Sequence, residues 1–145
     1  MSGVPTQQKW HPLKRILLVD DQAHVLRVIK LSLDRNGFEV DTALSAEIAL
    51  DMLQQGTFEA NPYDVVITDM DMPVMDGQQL ADCINRNFET DAPLIFLVGE
   101  DSDQQLAEWA EKQASTEIVE KPMSLRWLVS RLNGYFGHYD TATVG

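Results

Sequence analysis

The chain has 145 residues, of which 44% are apolar; that is room for one compact domain with a real core and short tails, and little more. Its 11 basic against 23 acidic residues leave a net charge of −12, which repels phosphate backbones and anionic membranes and argues against nucleic acid as a partner. The single cysteine, Cys83, cannot close an internal disulfide and suits a reducing cytoplasm.

Met1 to Pro12 is polar and has no apolar segment of the kind that precedes a signal cleavage site. The longest wholly apolar run, Leu94-Ile95-Phe96-Leu97-Val98, falls far short of the ~20 residues that span a bilayer. The expectation is a soluble, cytoplasmic protein with a domain over 13–136, flanked by tails at 1–12 and 137–145. The second tail is too short for a DNA-binding module.

Taken in chain order, short apolar runs alternate with longer segments of helical period. Ile16–Val19 reads as a strand, followed by a helix over Ala23–Asn36 that Asn36-Gly37 stops. Phe38–Thr42 is the second strand and Ser45–Gln55 the second helix. Val65–Thr68 is the third strand, apolar on both sides as a sheet covered on both faces requires. A helix over Gln78–Phe88 then repeats Leu80, Ile84 and Phe88 every four residues. Leu94–Val98 is a fourth strand, before a helix over Ser102–Ala114 that opens with a Ser102/Gln105 capping box. Thr116–Val119 is the last strand. Ser124 caps a closing helix to Phe136, whose apolar face is Leu125, Leu128, Val129, Leu132 and Phe136.

Alternating strands and helices imply an α/β fold with a doubly wound parallel sheet, because parallel strands need crossovers and helices supply them. In such sheets the functional crevice lies beyond the carboxyl ends of the strands. There the first strand runs into Asp20-Asp21, the third into Asp69 and the fifth into Lys121-Pro122. Taken alone, each has a plainer reading: a helix cap, a turn residue, a surface Lys-Pro. Together at one edge of a sheet they form a constellation. Carboxylates converging there repel by up to ~4 kcal/mol per pair at an effective dielectric near 20. A hard divalent ion, Mg²⁺ above all, relieves such a cluster and still has room for a phosphate. Lys121 offers a point charge to a phosphoryl oxygen.

These residues resemble a known family. Leu17-Leu18-Val19-Asp20-Asp21, then Asp69-Met70-Asp71-Met72-Pro73-Val74-Met75-Asp76-Gly77, then Glu120-Lys121-Pro122 are similar to the receiver domain of two-component response regulators. The resemblance covers roughly Lys14 to Phe136. It implies a flavodoxin-like sheet of five strands in order 2-1-3-4-5 with five helices. It implies that Asp69 accepts a phosphoryl group from a sensor histidine kinase or phosphotransfer protein. Mg²⁺ would be held by Asp21 and Asp69, by the main-chain carbonyl of Asp71, and by Asp20 through a water. Lys121 and the Gly99 amide would bind the phosphate, and Gly77 would turn the loop into the third helix. As a phospho-acceptor the domain would be no enzyme beyond its own phosphorylation and dephosphorylation.

Three positions depart from the family. Ser or Thr followed by Ala usually ends the fourth strand, where this chain has Val98 and Gly99, and an aromatic residue usually stands three before the lysine, where it has Ile118; Val98 and Ile118 are the switch positions. The expectation is an intact acceptor with an altered switch. Asp71 and Glu100 add negative charge beside the site, and a solvated loop is the plainer role for each. Trp109 and Trp127 suit core packing at least as well as partner contact. His11, His24 and His138 have no ligand spacing. One competing reading is a pseudo-receiver that binds partners without phosphate. Another is a haloacid-dehalogenase-type phosphatase, suggested by Asp69-x-Asp71. That enzyme places its motif on an early strand with most of the fold following, whereas only about half of this chain follows Asp69.

Overall fold

A computed structural model describes residues 14–88, 92–100, 104–113 and 115–136. Five strands, β1 (Arg15–Val19), β2 (Glu39–Ala43), β3 (Val65–Asp69), β4 (Leu94–Gly99) and β5 (Thr116–Glu120), alternate with five helices. These are α1 (Ala23–Arg35), α2 (Ala46–Phe58), α3 (Gly77–Asn87), α4 (Gln104–Glu111) and α5 (Leu125–Phe136). The strands form one parallel sheet in the order β2-β1-β3-β4-β5. This is the flavodoxin-like architecture expected from the alternation and the resemblance.

Successive side chains of a strand point to opposite faces, so each strand feeds two cores. Leu17, Val19, Val66, Ile95 and Leu97 pack under Ala49 and Leu53 of α2 and Leu80 and Ile84 of α3. Ile16, Leu18, Val65, Ile67 and Phe96 pack under Leu26 and Leu33 of α1 and Leu128 and Leu132 of α5. Trp109 is half-buried against the first core, while Trp127 meets Phe96 edge-on and stays 39% exposed. Among the described residues no helix is long and apolar enough to cross a membrane.

Local signals place most element ends. Gly37 takes φ +90° just past α1, as a residue without a Cβ can. Ser45 Oγ accepts from Ile48 N at the start of α2, and Ser124 Oγ from Trp127 N at the start of α5. Most ends fall within one residue of the sequence reading; α4 stops at Glu111, short of the expected Ala114, and two ends have a clear local cause. α2 runs past Gln55 to Phe58, because Gly56 leaves space for the Asn61 carbonyl, 3.0 Å from where a Cβ would sit. α3 begins at Gly77 behind a reciprocal capping box, with Asp76 accepting from Gln79 N and Gln79 Oε1 from Asp76 N. The Ser102 cap expected for α4 and both tails lie outside the described residues.

Candidate functional site: a carboxylate cluster facing a lysine

Register brings the site together. Val19 pairs with Thr68, Asp69 with Val98, and Gly99 with Glu120, so the residues just beyond β1, at the end of β3 and just beyond β5 share one edge. Asp20 is pinned on both sides of its chain: its N donates to Ala43 O at 3.1 Å, and its Oδ1 accepts from Gln22 N at 2.9 Å. That turn, not a side-chain cap, leads into α1, since Gln22 is the capping residue. Asp20 and Asp69 are buried and Asp21 is exposed. One carboxylate oxygen of each lies within 4.8 Å of the others.

Lys121 Nζ closes the cluster at 2.7 Å from Asp69 Oδ1, held there by a main-chain bond from Lys121 N to Gly99 O at 2.9 Å. The pair is a charge contact, and Asp69 Oδ1 is buried with no well-directed hydrogen bond. The contact with Asp69 holds the Lys121 ammonium above its ordinary range against the opposing effect of desolvation, with the charges of Asp69, Asp20 and Glu100 adding to it. Burial pushes the Asp20 carboxyl up; the Gln22 N–H opposes this, and the charges of Asp69 and Asp21 reinforce it. One cation thus faces three carboxylates. The donor set is three converging carboxylates facing the Lys121 ammonium, and it fits a hard divalent cation such as Mg²⁺.

The β3–α3 loop sits close behind β3. Gly77 N donates to Met70 O at 2.9 Å, and a Cβ on Gly77 would lie 2.3 Å from Asp69 O. Only glycine allows α3 to start that near the strand. Met72 is buried and Met75 half-buried in the adjacent core, while Asp71 is exposed. Val74, at the loop tip, is 91% exposed with φ +72°, an unusual conformation for a β-branched residue that its sequence does not announce.

A cavity of about 780 Å³ reaches this edge, lined by the polar residues Asp20, Asp69, Glu100 and Lys121 and by apolar residues that include Val25 and Leu125. Val98 lines it too, buried in the α1–α5 core, and its isopropyl group has no hydrogen-bonding atom. Ile118 packs on the opposite face against the other core. His24 is exposed on the cavity's lining; His11 and His138 lie outside the described residues. The expected site residues therefore share one edge of the sheet. What sequence reasoning missed is the contact between Met70 and Gly99, where a glycine in place of the usual alanine was the available signal.

Residues 16–133 match the family of the response regulator receiver domain. The transcriptional regulatory protein SrrA of Staphylococcus aureus (strain NCTC 8325 / PS 47) is 30% identical over 129 residues, 89% of this chain and 50% of that protein. The chain thus spans about half the length of the curated relatives it matches. A response regulator receiver domain protein from Clostridium thermocellum superposes with a TM-score of 0.72 at 27% identity, over 90% of this chain and 99% of that one. The chemotaxis protein CheY4 of Vibrio cholerae shares the fold, with a TM-score of 0.72 at 23% identity over 83% of this chain and 97% of its own.

Proposed function

We propose, for a chain that belongs to the response regulator receiver domain family, that Asp69 is the acceptor of a phosphoryl group and that acceptance depends on Mg²⁺. The domain works in two-component signalling, where receivers take their signal from histidine kinases or phosphotransfer proteins. The observation that carries the reading is the Lys121–Asp69 contact, on the lining of a cavity and among three converging carboxylates.

An oxygen of the Asp69 carboxylate attacks the phosphorus of a phosphohistidine on the donor. The P–O bond forms as the P–N bond breaks, and the bonding pair stays on the imidazole nitrogen. The product is an acyl phosphate on Asp69. Lys121, already against Oδ1, transfers its charge contact to a phosphoryl oxygen, and the Gly99 N–H donates to another. Asp21 and Asp69, the main-chain carbonyl of Asp71 and a water on Asp20 would hold Mg²⁺. When bound, the ion neutralises charge that develops on the phosphoryl oxygens. We assign the domain to 13–136, with 1–12 and 137–145 as flanking segments.

Val98 and Ile118 favour a second reading, a receiver that binds partners without phosphate. Intact-mass spectrometry after incubation with acetyl phosphate separates the two. The acceptor reading predicts one added phosphoryl group with Mg²⁺, less without it, and none in Asp69→Asn. An unchanged mass for wild type supports the second reading.

A further inference from the structure

A glycine ends β4, and the space its side chain would take is filled by the residue that follows Asp69. A Cβ on Gly99 would lie 3.0 Å from Met70 Cε, 3.1 Å from Met70 Cβ and 3.5 Å from Met70 Cγ. The methionine is thus folded over the Gly99 Cα, and its two nearest atoms are closer than most Cβ contacts, so a side chain there would make Met70 give by a few tenths of an ångström. Its main chain is fixed on both sides: Met70 N donates to Val98 O at 2.9 Å, and Met70 O accepts from Gly77 N at 2.9 Å. Gly99 O in turn accepts from Lys121 N. The Met70 side chain lies against the core on which Trp109 and Ile118 also pack, the face opposite Val98.

We propose that Met70 is a positioning residue whose side chain, seated in the notch at Gly99, sets the separation between the Gly99 amide and the Asp69 carboxylate. That side chain shifts in its seat when Asp69 carries a phosphoryl group. The inference rests on Asp69 being the acceptor. A phosphoryl oxygen that accepts from Gly99 N–H draws the end of β4 toward β3. The notch is already at contact, and close-packed interiors transmit such a displacement. The Met70 main chain is held by its two hydrogen bonds, so the unbranched, freely rotating thioether is the part that gives. Val98 has no hydroxyl with which to take up the motion on the other face.

The test uses protein labelled with ¹³C at the methionine methyls, the Met70 resonance being assigned by its loss in Met70→Leu. Beryllofluoride with Mg²⁺ supplies the phosphoryl mimic, and its ¹⁹F resonance reports whether it has bound. The Met70 methyl should then move further than that of Met52, which packs against the same core from α2. A bound mimic with Met70 moving no more than Met52 overturns the proposal and leaves the acceptor reading standing; no bound mimic overturns both. Kinetics give an independent arm. Gly99→Ala should slow labelling by acetyl phosphate, and adding Met70→Ala should recover about threefold, the low end of coupling between touching residues. Additive effects of the two substitutions also overturn the proposal.

Discussion

The ammonium of Lys121 lies 2.7 Å from Oδ1 of Asp69, on a carboxylate side chain that is 5% exposed. The lysine side chain is itself 35% exposed, so solvent screens it and the pair is a poor source of stability. Its geometry makes sense as chemistry. Under the proposed acceptor role, a cation placed against the Asp69 carboxylate is in position for the oxygens that arrive with the phosphorus.

Lys121→Ala should therefore leave Mg²⁺ affinity unchanged or raised, because a competing positive charge is gone. Labelling by a small phosphodonor, or its structural effect, should fall by about tenfold, the equivalent of one charge-assisted hydrogen bond. Mg²⁺ titration and phosphate incorporation measure the two arms. Labelling and conformational response both at wild-type levels would make Lys121 an ordinary surface residue.

Asp21 tests the metal side of the cluster. It is the exposed member, so removing its charge relieves repulsion without opening the core. Asp21→Asn should melt about 1–3 °C higher than wild type in EDTA, and lose that advantage as Mg²⁺ is added, since the ion binds wild type more tightly. A lower melting temperature in EDTA would assign Asp21 a structural role in the turn before α1.

Gly77 carries the tightest backbone approach at the site, with its missing Cβ 2.3 Å from Asp69 O and 2.9 Å from Met70 Cα. Gly77→Ala forces the start of α3 away from β3 and should cost about 1–3 kcal/mol. Urea unfolding measures the loss, and an unchanged midpoint would show that the loop absorbs the methyl group. The capping box from Asp76 to Gln79 survives the substitution, so a loss would report the contact with Asp69 and not the helix start.

Much of this edge was legible from the chain alone. Asp20, Asp21, Asp69 and Lys121 each follow a short β-branched run, and parallel topology sends the ends of such runs to one side. Ser124 and Gly37 likewise announced their helix ends. The rest depended on which backbones meet. The reading that ends the second helix at Gln55 falls short of Phe58, because the space at Gly56 is needed by the Asn61 carbonyl. Met70 and Gly99 are 29 positions apart and are neighbours only because β3 pairs with β4.

The response to phosphorylation should be smaller than in a receiver with a hydroxyl at the end of β4. A hydrogen bond to a charged group contributes about 1.5–3 kcal/mol, against about 5.5 kcal/mol to invert a two-state equilibrium from 1:99 to 99:1. Val98 cannot make that bond, and Ile118 has no ring to couple. Hydrogen exchange over α4 and β5 with beryllofluoride should change little in wild type and more in Val98→Thr with Ile118→Tyr. A large wild-type change there would contradict the weak-switch expectation.

The central claim is that Asp69 becomes an acyl phosphate, and borohydride trapping tests it most directly. Reduction of an aspartyl phosphate leaves homoserine, which peptide mass spectrometry locates to a single position. After acetyl phosphate and Mg²⁺, the account predicts homoserine at Asp69 and at none of Asp20, Asp21 or Asp71. Homoserine at another aspartate, or none anywhere in the chain, would contradict it.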